Sequence, residues 1–192
     1  MPITYTNAKE KTYYLHQGTT TTGKPKYYFS TKSEGTCAEA IPEGFEIYEN
    51  PNTQVFLRRI PPKLITEEER QVVEAGMRTS ADVKDYKIDV KGKAIVIYTA
   101  DQDVETLADV FKGLSPTPSA NRQLMSLLRK EIQYSPMLQF LLEDEQRRLF
   151  TAQRYCFRGS IDDWIDIGYG SLTTLVKQYV KHLGKESYFE LL

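Results

Sequence analysis

The chain has 192 residues, of which 40% are hydrophobic and 27% charged, and its formal net charge is -1. It can bury a core as an ordinary globular protein of one or two domains. The near-neutral charge excludes a protein that coats duplex nucleic acid by bulk charge, so any nucleic-acid binding must be local. Two histidines exclude a multi-histidine metal site, and Cys37 and Cys156 are too far apart for a zinc or redox motif. We expect no cofactor.

The N-terminus lacks a basic segment followed by an apolar core. No later run approaches the length of a membrane span. We therefore expect a soluble, cytoplasmic protein that does not enter a membrane.

Two β-favouring runs near the N-terminus enclose a linker rich in turn residues. Aromatic and β-branched residues fit a pleated sheet, and Gly and Pro interrupt it, so the pattern predicts a hairpin that pairs 12–17 with 26–31. Because side chains alternate along a strand, the two faces differ in their members. One face carries Tyr13, Leu15, Tyr27 and Phe29, and the other carries Tyr14, His16, Tyr28 and Ser30.

The linker reads Gly18, four further residues, Gly23 and Lys24, which matches a phosphate-binding P-loop except at the last position. Pro25 stands where Ser or Thr should supply a hydroxyl to a metal ion. A P-loop must also open a helix, whereas the residues after Pro25 predict a strand. The pattern therefore favours a hairpin tip over a nucleotide site.

Lysines alternate with aromatic rings in this hairpin, which is typical of surfaces that bind single-stranded nucleic acid. We call Tyr14, His16, Lys24, Lys26 and Tyr28 the hairpin surface and predict that they are binding residues. The expected partner is single-stranded nucleic acid or an unknown protein. The competing interpretation is structural: edge-strand lysines prevent aggregation, and the rest of the chain covers the tyrosines.

The segments 45–48 and 54–60 predict a second hairpin around Asn50-Pro51-Asn52, where proline presets φ and asparagine tolerates positive φ. The first sixty residues are therefore expected to form one antiparallel sheet of about four strands. Pro61 and Pro62 cannot donate to a ladder, so the sequence predicts a β subdomain at 1–62. An α+β region would follow at 63–192, either separate or packed with the first as one domain.

The second region alternates hairpin and helix patterns. Thr66 and Glu69 form a capping box, which predicts a helix from there to about Arg78. Pro136 is expected to break the chain. Further predicted hairpin strands lie at 86–90 and 94–98, helices at 104–112, 120–133 and 172–183, and strands at 137–142 and 149–157. The predicted fold class is α+β, with about four helices.

Aspartates offer an alternative function. Asp101 and Asp103 follow a predicted buried strand, and Asp162 and Asp163 lie beside Trp164. Together they could bind the metal ion of a phosphoesterase or nuclease. An aspartate just before a helix also serves as an N-cap, which needs no metal. Because no complete catalytic set of residues is present, a non-enzymatic binding protein is the preferred interpretation.

The C-terminal tail, from Ser187 to Leu192, is too apolar to remain in water. We expect it to dock on the core or on a second copy of the chain, which would make the protein a homo-oligomer.

Overall fold

A computed structural model of the chain describes residues 1–102, 123, 126–127, 130–157 and 162–191. Strands account for 43% and helices for 20%, so the protein is mostly β. The expected α+β class with about four helices is therefore wrong: the described ranges contain two α-helices with defined ends and two short 3-10 helices. The predicted helix at 104–112 falls outside these ranges, as does half of the predicted helix at 120–133.

Contacts divide the chain into two units, Met1–Pro61 and Pro62–Leu192. We call them unit 1 and unit 2. The division falls between two prolines, whose nitrogens cannot continue a hydrogen-bonded ladder. The predicted division into a β subdomain at 1–62 and a second region at 63–192, either separate or packed with the first as one domain, stays a prediction.

Unit 1 contains two separate antiparallel sheets, so the single four-stranded sheet expected from the sequence is wrong. One sheet has the order β1-β2-β3 and the other pairs β4 with β5. The error arises because turn chemistry predicts each hairpin but not which hairpins share a ladder. The strands are β1 (Thr4–Thr6), β2 (Thr12–Thr19), β3 (Pro25–Ser30), β4 (Phe45–Glu49) and β5 (Val55–Arg59).

The predicted hairpin around the linker is confirmed as β2 and β3. His16 lies opposite Tyr28 and Leu15 lies opposite Phe29, so the two predicted faces are also correct. Leu15 is fully buried, and Val55 of the other sheet is also buried. The two sheets meet where β3 approaches β5.

Three hairpins of unit 1 close with the same five-residue turn, at residues 7–11, 20–24 and 50–54. In each turn the N-H of the first residue donates to the carbonyl of the fifth residue. The N-H of the fourth residue donates to the carbonyl of the first. The side-chain oxygen of Asn7, Thr20 or Asn50 accepts from the fifth N-H. The fourth residue has positive φ in all three turns: Glu10, Gly23 and Thr53. Gly23 is thus a turn glycine, and β3 follows it where a P-loop would begin a helix.

Unit 2 contains a five-stranded antiparallel sheet with the order β10-β9-β8-β7-β6. Helices α1 (Glu67–Ser80) and α2 (Leu172–Tyr179) pack together on one face, and 3-10 turns follow at Val180–His182 and Glu186–Tyr188. The hairpin predicted at 86–90 and 94–98 is confirmed, as are the strands at 137–142 and 149–157. The strands are β6 (Tyr86–Lys91), β7 (Ala94–Ala100), β8 (Tyr134–Asp144), β9 (Leu149–Phe157) and β10 (Asp162–Ser171).

Two features of this sheet contradict the sequence expectations. Pro136 does not break the chain, because a register shift next to its partner Tyr98 makes room for it inside β8. Residues 162–171, for which the sequence predicted no strand, form the edge strand β10. Aspartate and glycine are depleted in strands, and their frequency here masked the alternation of Ile165, Ile167 and Tyr169.

The capping box that begins α1 is confirmed. The Thr66 hydroxyl accepts from the Glu69 N-H, and the Glu69 carboxylate accepts from the Thr66 N-H. The same carboxylate also binds Arg148, which donates to the Leu64 carbonyl as well. Hydrogen bonding to Glu69 raises the pKa of Arg148. One carboxylate thus joins the helix N-terminus to the β8-β9 turn.

The tail is only partly buried. Tyr188 is buried as expected, and Leu191 packs against the core. Phe189 is 64% exposed, so the expectation that it docks on this chain is wrong. Leu192 lies outside the described residues. Homo-oligomerisation through the tail stays a prediction. Among the described helices, none is long and apolar enough to cross a membrane.

Candidate nucleic-acid interface

Tyr28 is the exposed aromatic centre of the hairpin surface. Strand β3 places it opposite His16, and 47% of its surface is accessible. The ammonium nitrogen of Lys26 lies 5.8 Å from the centre of its ring, within the range of a cation-π interaction. Lys26 is itself exposed, so its ammonium group lies near the ring and in contact with water.

His16 is buried, with 3% of its surface exposed, so it is not part of the exposed surface that the sequence predicted. Its ring stacks on Tyr28, with centroids 5.3 Å apart and planes 15° from parallel. Its Nε2 lies 2.8 Å from the Lys32 carbonyl oxygen, and Gly35 lies close to Nδ1 and Cε1 of the ring. A β-bridge between His16 and Cys37 places the returning loop alongside β2. His16 therefore contributes to the hairpin surface only by stacking on Tyr28.

The remaining predicted residues divide by exposure. Tyr14 is half-buried on the same face as His16 and Tyr28. Lys24 and Lys26 are exposed, and Lys24 is the fifth residue of the tip turn, where both its N-H and its carbonyl bind Thr20. The hairpin surface thus offers two ammonium groups and one stacked ring to a partner.

Cations lie over aromatic rings four times within the 61 residues of unit 1. All four lie within about 6 Å of the ring centre, which is the geometric range of a cation-π contact. The pairs are Lys11 with Tyr13, Lys26 with Tyr28, Arg58 with Tyr48, and Arg59 with Phe45.

The closest of these pairs was not predicted as a site from the sequence. The guanidinium carbon of Arg58 lies 3.7 Å from the centre of the Tyr48 ring. Its Nε donates to Glu46 across the strand pair, at 2.9 Å. An Arg opposite a Glu, followed two residues along by a Tyr opposite a Phe, is the sequence pattern that could have indicated it.

The aspartates of the alternative function lie on separate strands. Asp101 follows β7, Asp162 and Asp163 begin β10, and two strands lie between. Three strand spacings place Asp101 and Asp162 roughly 14 Å apart, which is too far for one shared cation. Asp103 lies outside the described residues. Within the described ranges no group of three His, Cys, Asp or Glu could hold a metal ion. The phosphoesterase alternative rests on sequence alone.

A cleft of about 370 Å³ in unit 2 is lined by both signs of charge, from Asp82, Lys84 and Asp85. Asp82 already pairs with Lys185, at 3.1 Å. This cleft favours no class of ligand.

Comparison of the chain with protein-family models, with curated proteins and with solved structures found no match.

Proposed function

We propose that this chain is a non-enzymatic binding protein whose unit 1 contacts single-stranded nucleic acid through the hairpin surface. The observation that carries the proposal is the exposed ring of Tyr28, which is stacked from below by His16 and flanked by Lys26. Bases stack on aromatic rings whatever their sequence, and lysine attracts the phosphates between them.

Preorganisation supports the proposal. A ring that is already held in one orientation loses little conformational freedom when a base stacks on it. The stacked His16 is fixed in turn by its contact with the Lys32 carbonyl. The lysines of the hairpin surface place positive charge at one site, which is compatible with a net charge of -1 for the whole chain.

The test is fluorescence anisotropy with labelled single-stranded DNA and RNA at low and moderate salt. We expect the full chain to bind at low salt and to lose affinity steeply as salt rises, because binding releases counterions. Lys24→Ala with Lys26→Ala should weaken binding and lower the slope of log affinity against log salt by about 1.4, from about 0.7 for each phosphate contact on a single strand. Tyr28→Ala should weaken binding with an unchanged salt slope, because it removes stacking alone.

The matched control is Lys177→Ala with Lys181→Ala, which removes the same charge from exposed positions of unit 2. Its affinity should equal that of the parent. If the parent shows no binding at low salt, the nucleic-acid proposal fails and a protein partner takes its place. If the Lys24 and Lys26 variant binds as tightly as the parent, the hairpin surface is not the site.

A further inference from the structure

We propose that Arg58 and Phe56, on the outward face of the β4-β5 hairpin, form a second contact point for the same single strand. The inference rests on the proposed function and extends it: unit 1 would hold one nucleic-acid strand at two places, with a phosphate at Arg58 and a base on Phe56.

The guanidinium of Arg58 is oriented before any ligand arrives. Tyr48 supports its flat face, and Glu46 accepts from Nε. The two terminal amino groups have no partner within unit 1, which the structure describes throughout. A guanidinium fixed in this way presents parallel N-H donors that match two oxygens of a phosphate.

Phe56 supplies the apolar half of the contact. It lies directly opposite Tyr48 in the strand pair, and 46% of its surface is exposed. Alternation along β5 places it on the same face as Arg58. A nucleotide carries a phosphate and a base, so its phosphate can bind Arg58 while its base stacks on Phe56.

This second contact point lies on the other sheet of unit 1. Strand β3, which carries Tyr28, approaches β5, and polar contacts also join the two sheets. Tyr5 donates to Glu49, and Asn7 donates to the Thr53 carbonyl. A nucleic-acid strand must therefore span both sheets to bind at Tyr28 and at Arg58 together, and a longer strand does so more readily than a short one.

The test compares binding of dT4, dT8 and dT16 to the full chain, since single-strand sites in small β-folds cover about 4–16 nucleotides. Arg58→Ala should weaken dT16 binding about tenfold, because the second attachment of a linked ligand is lost. It should weaken dT4 about twofold at most, because the hairpin surface still binds it. The salt slope for dT16 should fall by about 0.7.

Two further variants separate the chemistry from the fold. Arg58→Lys keeps the charge but removes the planar pair of donors, so dT16 affinity should fall while the salt slope is kept. Phe56→Thr keeps a β-favouring residue and removes the ring, so dT16 affinity should fall with the slope unchanged. The matched control is Arg70→Ala in unit 2, whose side chain is 37% exposed against 31% for Arg58 and is also paired with a glutamate. It should bind as the parent does.

The outcomes distinguish this inference from the proposed function. If the parent binds no oligonucleotide, both are overturned. If the Lys24 and Lys26 variant loses affinity while Arg58→Ala and Phe56→Thr bind dT16 as the parent does, the hairpin surface stands and the second contact point is overturned. If Arg58→Ala weakens dT4 and dT16 equally, a single site that includes Arg58 replaces the two-point arrangement.

Discussion

Tyr188 illustrates how a single side chain joins separate strands. Its hydroxyl donates to the Met137 carbonyl of β8 and accepts from the Tyr155 N-H of β9. Burial raises the pKa of Tyr188, because the phenolate would lose its hydration inside the protein. The neutral phenol is therefore the form that the fold stabilises.

The sign of the effect fixes a pH dependence. A raised folded-state pKa gives stability that is fully present below the unfolded value, which is about 10 for tyrosine, and is lost as pH rises above it. The free energy of unfolding of unit 2, measured with urea, should thus be constant from neutral pH to about 9.5 and decrease at higher pH. Tyr188→Phe should lower the unfolding free energy at neutral pH by about 1 kcal/mol and reduce the alkaline loss.

Tyr169→Phe serves as the control for Tyr188→Phe, because Tyr169 is 61% exposed. It should leave both the neutral stability and the alkaline loss unchanged. If the free energy of unfolding fell equally with rising alkaline pH in the parent and in Tyr188→Phe, the loss would not arise from Tyr188.

Helices α1 and α2 approach each other at a glycine. A Cβ added at Gly76 would overlap Cγ1 of Val176. A similar approach occurs at Gly168, where a Cβ would overlap the Tyr179 side chain that donates to the Ile167 carbonyl. Close packing of the two helices on the sheet therefore depends on the missing side chain, and not on the flexibility of glycine.

Gly76→Ala tests this contact. In an open helix the change would stabilise by about 1 kcal/mol, whereas overpacking costs about 1–3 kcal/mol. We expect a net loss of stability, measured by denaturant unfolding. Combining it with Val176→Ala should relieve the overlap, so the double variant should lose less than the sum of the single losses. If the loss in the double variant equals the sum of the two single losses, the helices move apart and accommodate the added methyl group.

At the scale of the whole molecule, the two units have cores of different size. The buried hydrophobic residues of unit 1 are Leu15, Ala38 and Val55. The main cluster of unit 2 contains seventeen buried residues. Small domains bury a smaller share of their surface and are correspondingly less stable. Unit 1 is therefore expected to unfold at a lower denaturant concentration than unit 2.

Trp164 makes the difference measurable. It is the only tryptophan of the chain and lies in unit 2, where the centre of its ring is 5.0 Å from the centre of the Tyr155 ring. Tryptophan fluorescence should report one late transition, and far-UV circular dichroism should begin to change earlier as the strands of unit 1 melt. Coincident transitions from the two probes would show that the chain unfolds as one cooperative body.

The predictable features of this chain are those that local chemistry determines. The Thr66 capping box and the hairpins at Gly23 and Gly92 depend on residues a few positions apart, and the sequence alone indicates them. The burial of His16 was not predictable, because it results from a loop that returns after Gly35. The same limit applies to the sheets, since hydrophobic alternation does not determine which hairpins share a ladder.

The order of the strands in unit 2 also bears on how the sheet assembles. Each strand lies beside its neighbours in sequence. The β6-β7 and β8-β9 pairs close through short turns, and β10 follows β9 closely along the chain. Only the β7-β8 ladder joins strands separated by residues 101–133, so its closure carries the largest loss of chain entropy. Two locally formed hairpin blocks would then meet at β7 and β8 in the slowest step of folding.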